Sequence, residues 1–171
     1  MRELIVGGLV IPREAGLVID QDYTWEEPVF QARMVDGDLK QQQSYAAKLN
    51  TTVRGRFGLI PSGLDGLDFA VPMTLSCIRA RAVTSQSHNI VITANRRSDA
   101  GSEPMGFAQV GRRWEPTPLV MNGDTAQLTQ VPGATLYQVK YFPEILAYVT
   151  RPVEKGPVGK AFEWSFNARE K

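Results

Sequence analysis

Residues 131–142, VPGATLYQVKYF, alternate between apolar and polar side chains after a Pro-Gly pair. Tyr137, Val139 and Tyr141 fall on one face of this run, and polar residues separate them. A period of two residues is that of a β-strand with one buried face, and Pro-Gly is a common turn sequence. The segment therefore predicts a strand that packs one side against a core.

Short strand patterns of the same kind recur between residues 105 and 150. Turn signals at Asn122-Gly123 and Pro132-Gly133 separate them. The patterns cover residues 107–110, 114–120, 125–128, 136–142 and 145–150. Closely spaced short strands with turns between them are typical of a β-sandwich or barrel, so we predict an all-β, antiparallel fold.

Two hairpins are predicted nearer the N-terminus. Gly7-Gly8 separates short apolar runs at residues 3–6 and 9–11, and Asp36-Gly37 follows a mixed strand at residues 28–34. Both pairs favour tight β-turns. At most one helical turn is expected at residues 41–49, and residues 58–66 are predicted to be a loop.

Two further strands are predicted outside this region. Residues 67–77 form a strand pattern whose apolar positions change face after Cys77, which indicates a bulge or a strand that leaves one sheet for another. Phe162, Trp164 and Phe166 alternate with polar residues. They predict a buried C-terminal strand that closes the sheet begun by the N-terminal hairpin.

Residues 125–128 (TAQL) and 136–142 together resemble the second and third strands of a fibronectin type III or immunoglobulin-like sandwich. The resemblance implies an immunoglobulin-like module over residues 106–152. Residues 1–105 would then form a β-rich core domain closed by the C-terminal strand 160–171, an arrangement in which the module can be an insertion. Such sandwiches hold proteins together far more often than they catalyse reactions.

Composition argues against several functional classes. The chain of 171 residues is 43% hydrophobic and 22% charged, as in ordinary soluble proteins, and its formal net charge is +1. A near-neutral chain has no overall field to attract nucleic acid or an anionic membrane, and no apolar run approaches the roughly 20 residues of a membrane span. One cysteine, Cys77, and one histidine, His88, exclude a disulfide framework and leave few zinc ligands. No metal and no cofactor are predicted.

For each candidate catalytic residue, a structural role explains the sequence better than a catalytic one. His88 lies in a polar loop without a G-x-S-x-G elbow elsewhere in the chain, and Cys77 falls in an apolar strand register. Asp65 and Asp68 in GLDGLD fit a calcium site or the carboxylate pair of a glycoside hydrolase, but the intervening leucines favour a structural turn. We expect no enzyme.

Arginine and tryptophan are the candidates for contacts with other molecules. Pairs of arginines, one of them followed by Trp114, combine residue types found both on nucleic-acid surfaces and at protein interfaces. The near-zero net charge favours the interface. The predicted interface residues are Trp25, Asp65, Asp68, Arg96, Arg97, Arg112, Arg113 and Trp114.

Three stretches resemble small virion proteins encoded among the tail genes of long-tailed bacteriophages, of the tail-tip or baseplate kind. They are residues 3–12 (ELIVGGLVIP), residues 63–77 (GLDGLDFAVPMTLSC) and residues 114–143, the last of which contains VPGATLYQVKYFP. The resemblance implies a structural protein of a phage tail that forms a homo-oligomeric ring and binds neighbouring tail proteins. Such a protein is made in the cytoplasm of the bacterial host and resides in the virion.

A carbohydrate-binding β-sandwich is the alternative function, with Trp25 or Trp114 stacking on sugar rings while Trp164 is buried. Under the assembly hypothesis, the contacts are made by extended loops and edges, namely residues 21–27, the loop at residues 55–68 and the loop at residues 96–104. We expect them to become ordered or buried only between subunits.

Overall fold

The computed structural model describes residues 2–12, 18–56, 60–156 and 163–171. Within them the chain forms antiparallel β-sheets and no α-helix, which confirms the predicted all-β class. The strands are β1 (Ile5–Val6), β2 (Leu9–Val10), β3 (Val18–Glu26), β4 (Val29–Arg33), β5 (Leu39–Gln43), β6 (Lys48–Arg56), β7 (Met73–Ser76), β8 (Arg81–Ser85), β9 (Asn89–Val91), β10 (Met105–Val110), β11 (Arg113–Thr117), β12 (Leu119–Asn122), β13 (Thr125–Leu128), β14 (Ala134–Tyr141), β15 (Glu144–Val149), β16 (Val153–Lys155) and β17 (Glu163–Glu170).

The chain divides into two compact units. The first unit comprises Met1–Val10 and Thr74–Ile145, and the second comprises Ile11–Met73 and Leu146–Lys171. The sequence instead predicts domain boundaries at residues 105 and 152, so the two divisions differ. The immunoglobulin-like module at residues 106–152 stays a prediction.

The first unit contains a β-sandwich. One sheet has the strand order β11-β10-β14-β8 and the other has the order β12-β13-β9. In β14 the predicted alternation is confirmed, because Tyr137, Val139 and Tyr141 are buried and the residues between them are only half-buried. The core between the sheets consists of Ile90, Ile92, Ala108, Ala126, Leu128, Tyr137, Val139 and Tyr141.

A two-residue turn connects β1 and β2 in the N-terminal hairpin. Val6 pairs with Leu9 across Gly7 and Gly8, whose φ angles are 57° and 84°. A two-residue turn with positive φ at both central residues matches the twist of the two strands, and glycine adopts positive φ without steric cost. The predicted N-terminal hairpin is therefore confirmed.

The strand predicted at residues 67–77 is shorter than expected and consists of β7 alone. β7 pairs with β1, with Ser76 opposite Ile5, whereas β8 pairs with β14 in the sandwich. The change of apolar face after Cys77 thus marks a chain segment that passes from one sheet to another, as predicted.

In the second unit the strand order is β15-β17-β6-β3, and β16 also pairs with β17. The inward face of β17 is fully apolar: Trp164 is 1% exposed, and Phe166 and Ala168 are equally inaccessible. The two aromatic rings stack with centroids 6.0 Å apart. The predicted burial of the C-terminal strand is confirmed, except for Phe162, which lies outside the described residues.

Two segments are more regular than their local sequence suggests. Residues 41–49, where at most one helical turn was expected, contain none; they form the end of β5, a bend and the start of β6. Residues 21–27, expected among the loops and edges, are an edge: all but Glu27 belong to β3, which pairs along its whole length with β6 and ends the strand order of its sheet. In both places cross-strand pairing outweighs local preference.

Candidate interaction surfaces

The β4–β5 hairpin has no core on either face. Its two strands form a sheet of their own, and every residue of β5 is exposed. Hydrogen bonds close both ends, from Ser44 N–H to the Pro28 carbonyl (3.1 Å) and from Met34 N–H to the Asp38 carbonyl (2.8 Å). The Asp36-Gly37 turn predicted from the sequence is confirmed, with Gly37 at φ 87°.

Large apolar side chains project from this hairpin into solvent. Phe30 is 68% exposed, Val35 at the tip is fully exposed, and Met34 and Leu39 are also exposed. The register places Phe30 and Leu39 on opposite faces. Both side chains stay exposed among the described residues, which only the tertiary structure shows.

At the base of the hairpin, Glu26 joins two strands and the connecting segment. Its carboxylate accepts hydrogen bonds from Asn50 Nδ2 (3.0 Å) and from the Tyr45 hydroxyl (3.2 Å). These bonds hold the pKa of Glu26 below its ordinary value. Trp25, the neighbouring residue, is 51% exposed, as the predicted interface requires.

A second surface lies on the outward face of the β11-β10-β14-β8 sheet. Its residues are the cross-strand neighbours that point away from the sandwich core: Met105, Phe107, Gln109, Trp114, Pro116, Leu136, Gln138 and Lys140. We call it the Trp114 face. Trp114 is 40% exposed, and the Lys140 ammonium lies 4.5 Å from the centroid of the Phe107 ring.

Arg112 stands at one corner of the Trp114 face, and Arg113 lies next to it on the opposite side of β11, the side of Glu115. Arg112 follows Gly111 in the two-residue turn between β10 and β11, and Arg113 begins β11. Both are exposed, and neither forms an ion pair with any residue that the structure describes. Their positions agree with the predicted contact role.

Arg96 and Arg97 form hydrogen bonds and ion pairs within the first unit. Arg97 is 2% exposed; it forms two bonds to the Asp99 carboxylate (2.8 and 2.7 Å) and donates to the Glu3 carbonyl (2.7 Å). Arg96 pairs with Asp124 at 2.7 Å and donates to the Gly123 carbonyl, which ties down the β12–β13 turn. A surface contact through Arg97 would require this network to open.

Asp65 and Asp68 are exposed residues of the second unit. Asp65 lies within a 3₁₀ turn at Leu64–Gly66, and Asp68 follows that turn. Asp68 accepts a bond from Ala70 N–H at 3.0 Å, as an acidic residue does in a turn. Leu64 is buried and anchors the turn, as predicted. No cluster of three potential metal ligands occurs among the described residues.

His88 and Cys77 both lack catalytic surroundings in the described chain. The His88 ring contacts Tyr137 edge to face at 6.4 Å, and its Nδ1 lies 3.2 Å from Gln130 Nε2. Cys77 is completely buried. Both positions agree with the structural interpretation.

A cleft of about 110 Å³ opens on the second unit between β6, β16 and β17. Arg54, Arg56 and Lys155 line it together with Glu163. Its arginines are already near carboxylates, with Arg54 3.4 Å from Asp22 and Arg56 4.0 Å from Asp20. The cleft is smaller than the roughly 300 to 1,000 Å³ of typical small-molecule sites.

No helix among the described residues is long and apolar enough to cross a membrane. In comparisons with known proteins, no family model, no curated protein and no solved structure matches this chain.

Proposed function

We propose that this protein is a structural component that assembles into a homo-oligomer, with the β4–β5 hairpin as a contact between subunits. The observation that carries the proposal is the exposure of Phe30, Met34, Val35 and Leu39 on a hairpin with no core of its own. An isolated two-stranded ribbon is marginally stable in water. Exposed apolar residues on it are best accounted for by burial in an assembly.

The charge of the chain supports the same proposal. With a formal net charge of +1, subunits do not repel each other, and association depends on shape and apolar contact. Trp25 and Trp114 are exposed, and tryptophan is the residue type most enriched among those that dominate binding energy at interfaces.

The setting we propose is the tail of a long-tailed bacteriophage, in the tail-tip or baseplate region. The protein would form a ring there and bind neighbouring tail proteins. What supports this setting is the resemblance of residues 3–12, 63–77 and 114–143 to small tail proteins, together with the exposed hairpin, which suits repeated contacts between identical subunits.

Sedimentation velocity over a range of concentrations tests the assembly. We expect the wild-type protein to form oligomers and the Phe30→Ser/Val35→Ser/Leu39→Ser variant to remain monomeric with an unchanged circular dichroism spectrum. Val91→Ser/Val120→Ser is the matched control, because both valines are exposed outside the hairpin, and it should assemble normally. A wild-type chain that is monomeric at about 1 mM would exclude the proposal, since association weaker than about 4 kcal/mol does not build a particle.

A carbohydrate-binding module is the second candidate, and the Trp114 face favours it. Trp114 and Phe107 lie on adjacent strands of one flat surface, and Gln138 Nε2, 3.3 Å from the Thr84 hydroxyl, places amide groups beside them. Aromatic rings flanked by amides suit the faces and hydroxyls of sugars. Binding to an oligosaccharide array that Trp114→Ala abolishes, in a chain that stays monomeric, would support this candidate instead.

A further inference from the structure

We infer that the β4–β5 hairpin of one copy packs on the Trp114 face of a neighbouring copy. The inference rests on the proposed function and names the surface that receives the hairpin. It follows from a match between the two surfaces in apolar pattern, in dimensions and in charge.

The apolar pattern of the hairpin is a row on one face. Phe30 and Ala32 share that face in the β4–β5 register, and the strand alternation continues the row to Met34. On the receiving surface, Phe107, Trp114 and Leu136 lie on three adjacent strands. Aromatic and apolar side chains on both sides supply the central contact that a specific interface needs.

The dimensions of the two surfaces agree. From Phe30 to Met34 the row spans four residue steps, or about 13 Å at the rise of a β-strand. From Met105 to Gln109 the receiving strand spans the same four steps, so its length along β10 is also about 13 Å. The ribbon is two strands wide and the receiving surface of β11, β10 and β14 is three, so the ribbon fits within it.

The charges are complementary at one end of each surface. The hairpin tip carries two exposed carboxylates, Asp36 and Asp38, and the turn at the corner of the Trp114 face carries Arg112. On the chain, Asp36 follows the apolar row by two residues, just as Arg112 precedes Trp114 by two. Packing the row on the aromatic residues therefore brings opposite charges together.

Other charges lie near the two surfaces. Arg33 donates to the Gly37 carbonyl at 3.3 Å and is thereby held within the hairpin. Lys40 lies opposite Ala32 on the face of the apolar row, and Lys140 is engaged over the Phe107 ring. Glu115 pairs with Ala108, whose side chain is in the sandwich core, so Glu115 and Arg113 belong to the opposite side of β11.

A contact of this kind joins different surfaces of two identical chains. Such heterologous contacts propagate from subunit to subunit and close into a ring when the rotation permits. A ribbon with five residue pairs is about 17 Å long and 10 Å wide, which is below the size of a standard interface. We therefore expect weak pairwise association and stable assembly only when contacts repeat.

Charge reversal in separate chains tests the inference. The tip variant combines Asp36→Asn with Asp38→Lys. In the wild-type protein the backbone N–H of residue 38 donates to Asp36 Oδ1 at 3.1 Å, and the amide oxygen of an asparagine side chain can still accept this bond. The face variant is Arg112→Glu. Each variant alone should raise the dissociation constant of assembly by about tenfold or more, because like charges then meet.

Mixing the two variants should restore assembly. In an alternating array each reversed tip meets a reversed face and each native tip meets a native face, so the dissociation constant should return to within about threefold of wild type. The control mixes the tip variant with a chain that carries the same tip changes together with Lys155→Glu, a charge change in the second unit, and this mixture should assemble no better than the tip variant alone. Equal melting temperatures exclude misfolding as the cause.

The outcomes separate this inference from the proposed function. If the wild-type protein assembles but the reversals have no effect, or mixing restores nothing, the Trp114 face does not receive the hairpin although the protein still assembles. If the wild-type protein never assembles, both the proposed function and this inference are wrong.

Discussion

Trp164 on β17 lies directly opposite Gly55 on β6, and its indole ring occupies the space that a Gly55 side chain would need. Trp164 is the largest fully buried side chain described in the protein. A Cβ atom at residue 55 would overlap the ring. The glycine is therefore required by packing rather than by backbone conformation.

Gly55→Ala should destabilise the protein by about 1 to 3 kcal/mol, because an added methyl group in a close-packed core forces the indole to shift. Urea unfolding followed by circular dichroism measures the change. Gly66→Ala is the control, since no atom lies within 4 Å of a Cβ there, and it should leave the midpoint nearly unchanged. An equal midpoint for both variants would show that the indole moves freely.

Trp164→Ala should cost about 3 to 5 kcal/mol, the usual range for deleting a fully buried aromatic side chain. Differential scanning calorimetry provides the measurement. Trp114→Ala is the comparison, because its ring is exposed and its loss should change stability by less than about 0.5 kcal/mol. A normal melting transition for Trp164→Ala would contradict the burial of the C-terminal strand.

Arg97→Ala should destabilise the protein by about 3 kcal/mol, because it removes the bonds that a buried guanidinium donates to the carbonyls of Glu3 and Cys77 and to the Asp99 carboxylate. Arg97→Lys should recover only part of this loss, since an ammonium cannot reproduce the paired bonds to Asp99. Arg112→Ala, at an exposed arginine, is the control. Chemical denaturation of the three variants would reveal whether Arg97 is structural.

The stability of the protein should fall in acid partly through Asp99. Hydrogen bonds from Arg97 hold the pKa of Asp99 below its ordinary value. A carboxyl whose folded pKa is depressed stabilises the fold above its unfolded pKa of about 3.9 and loses that contribution as the pH falls through the lower folded value.

Asp99→Asn should accordingly be less stable than wild type at neutral pH and should lose less stability between about pH 5 and pH 2. The pKa values of Glu26 and Glu103 are also lowered, so the wild-type curve contains their contributions and only the difference between the two curves reports on Asp99. Parallel curves would mean that the Asp99 carboxylate does not favour the folded state.

Backbone amides of the β4–β5 hairpin should exchange with solvent much faster than those of β14 in the unassembled protein. The hairpin has solvent on both faces, whereas β14 has a neighbour on each side and core residues beneath it. Hydrogen exchange with mass spectrometry measures both segments in one sample. Assembly should slow exchange in the hairpin, and unchanged exchange in the oligomer would argue against a contact there.

Local sequence alone determined several parts of this protein. The alternation in β14 and β17 specified which side chains are buried, since a period of two admits only one apolar face per strand. Gly7-Gly8 and Asp36-Gly37 specified two hairpins, because few residues besides glycine adopt positive φ. The exposure of Trp25 and Trp114 also agrees with expectation.

Tertiary structure decided the rest, because burial depends on which distant residues arrive at a surface. The arginines Arg97 and Arg112 are chemically identical, yet one donates to carbonyls from two chain segments and is buried, and the other faces solvent. Phe30 sits in a regular strand pattern of the kind that predicts burial, but it is 68% exposed among the described residues. Gly55 looks like a flexible position in sequence, and only the indole of Trp164, more than a hundred residues away, makes it indispensable.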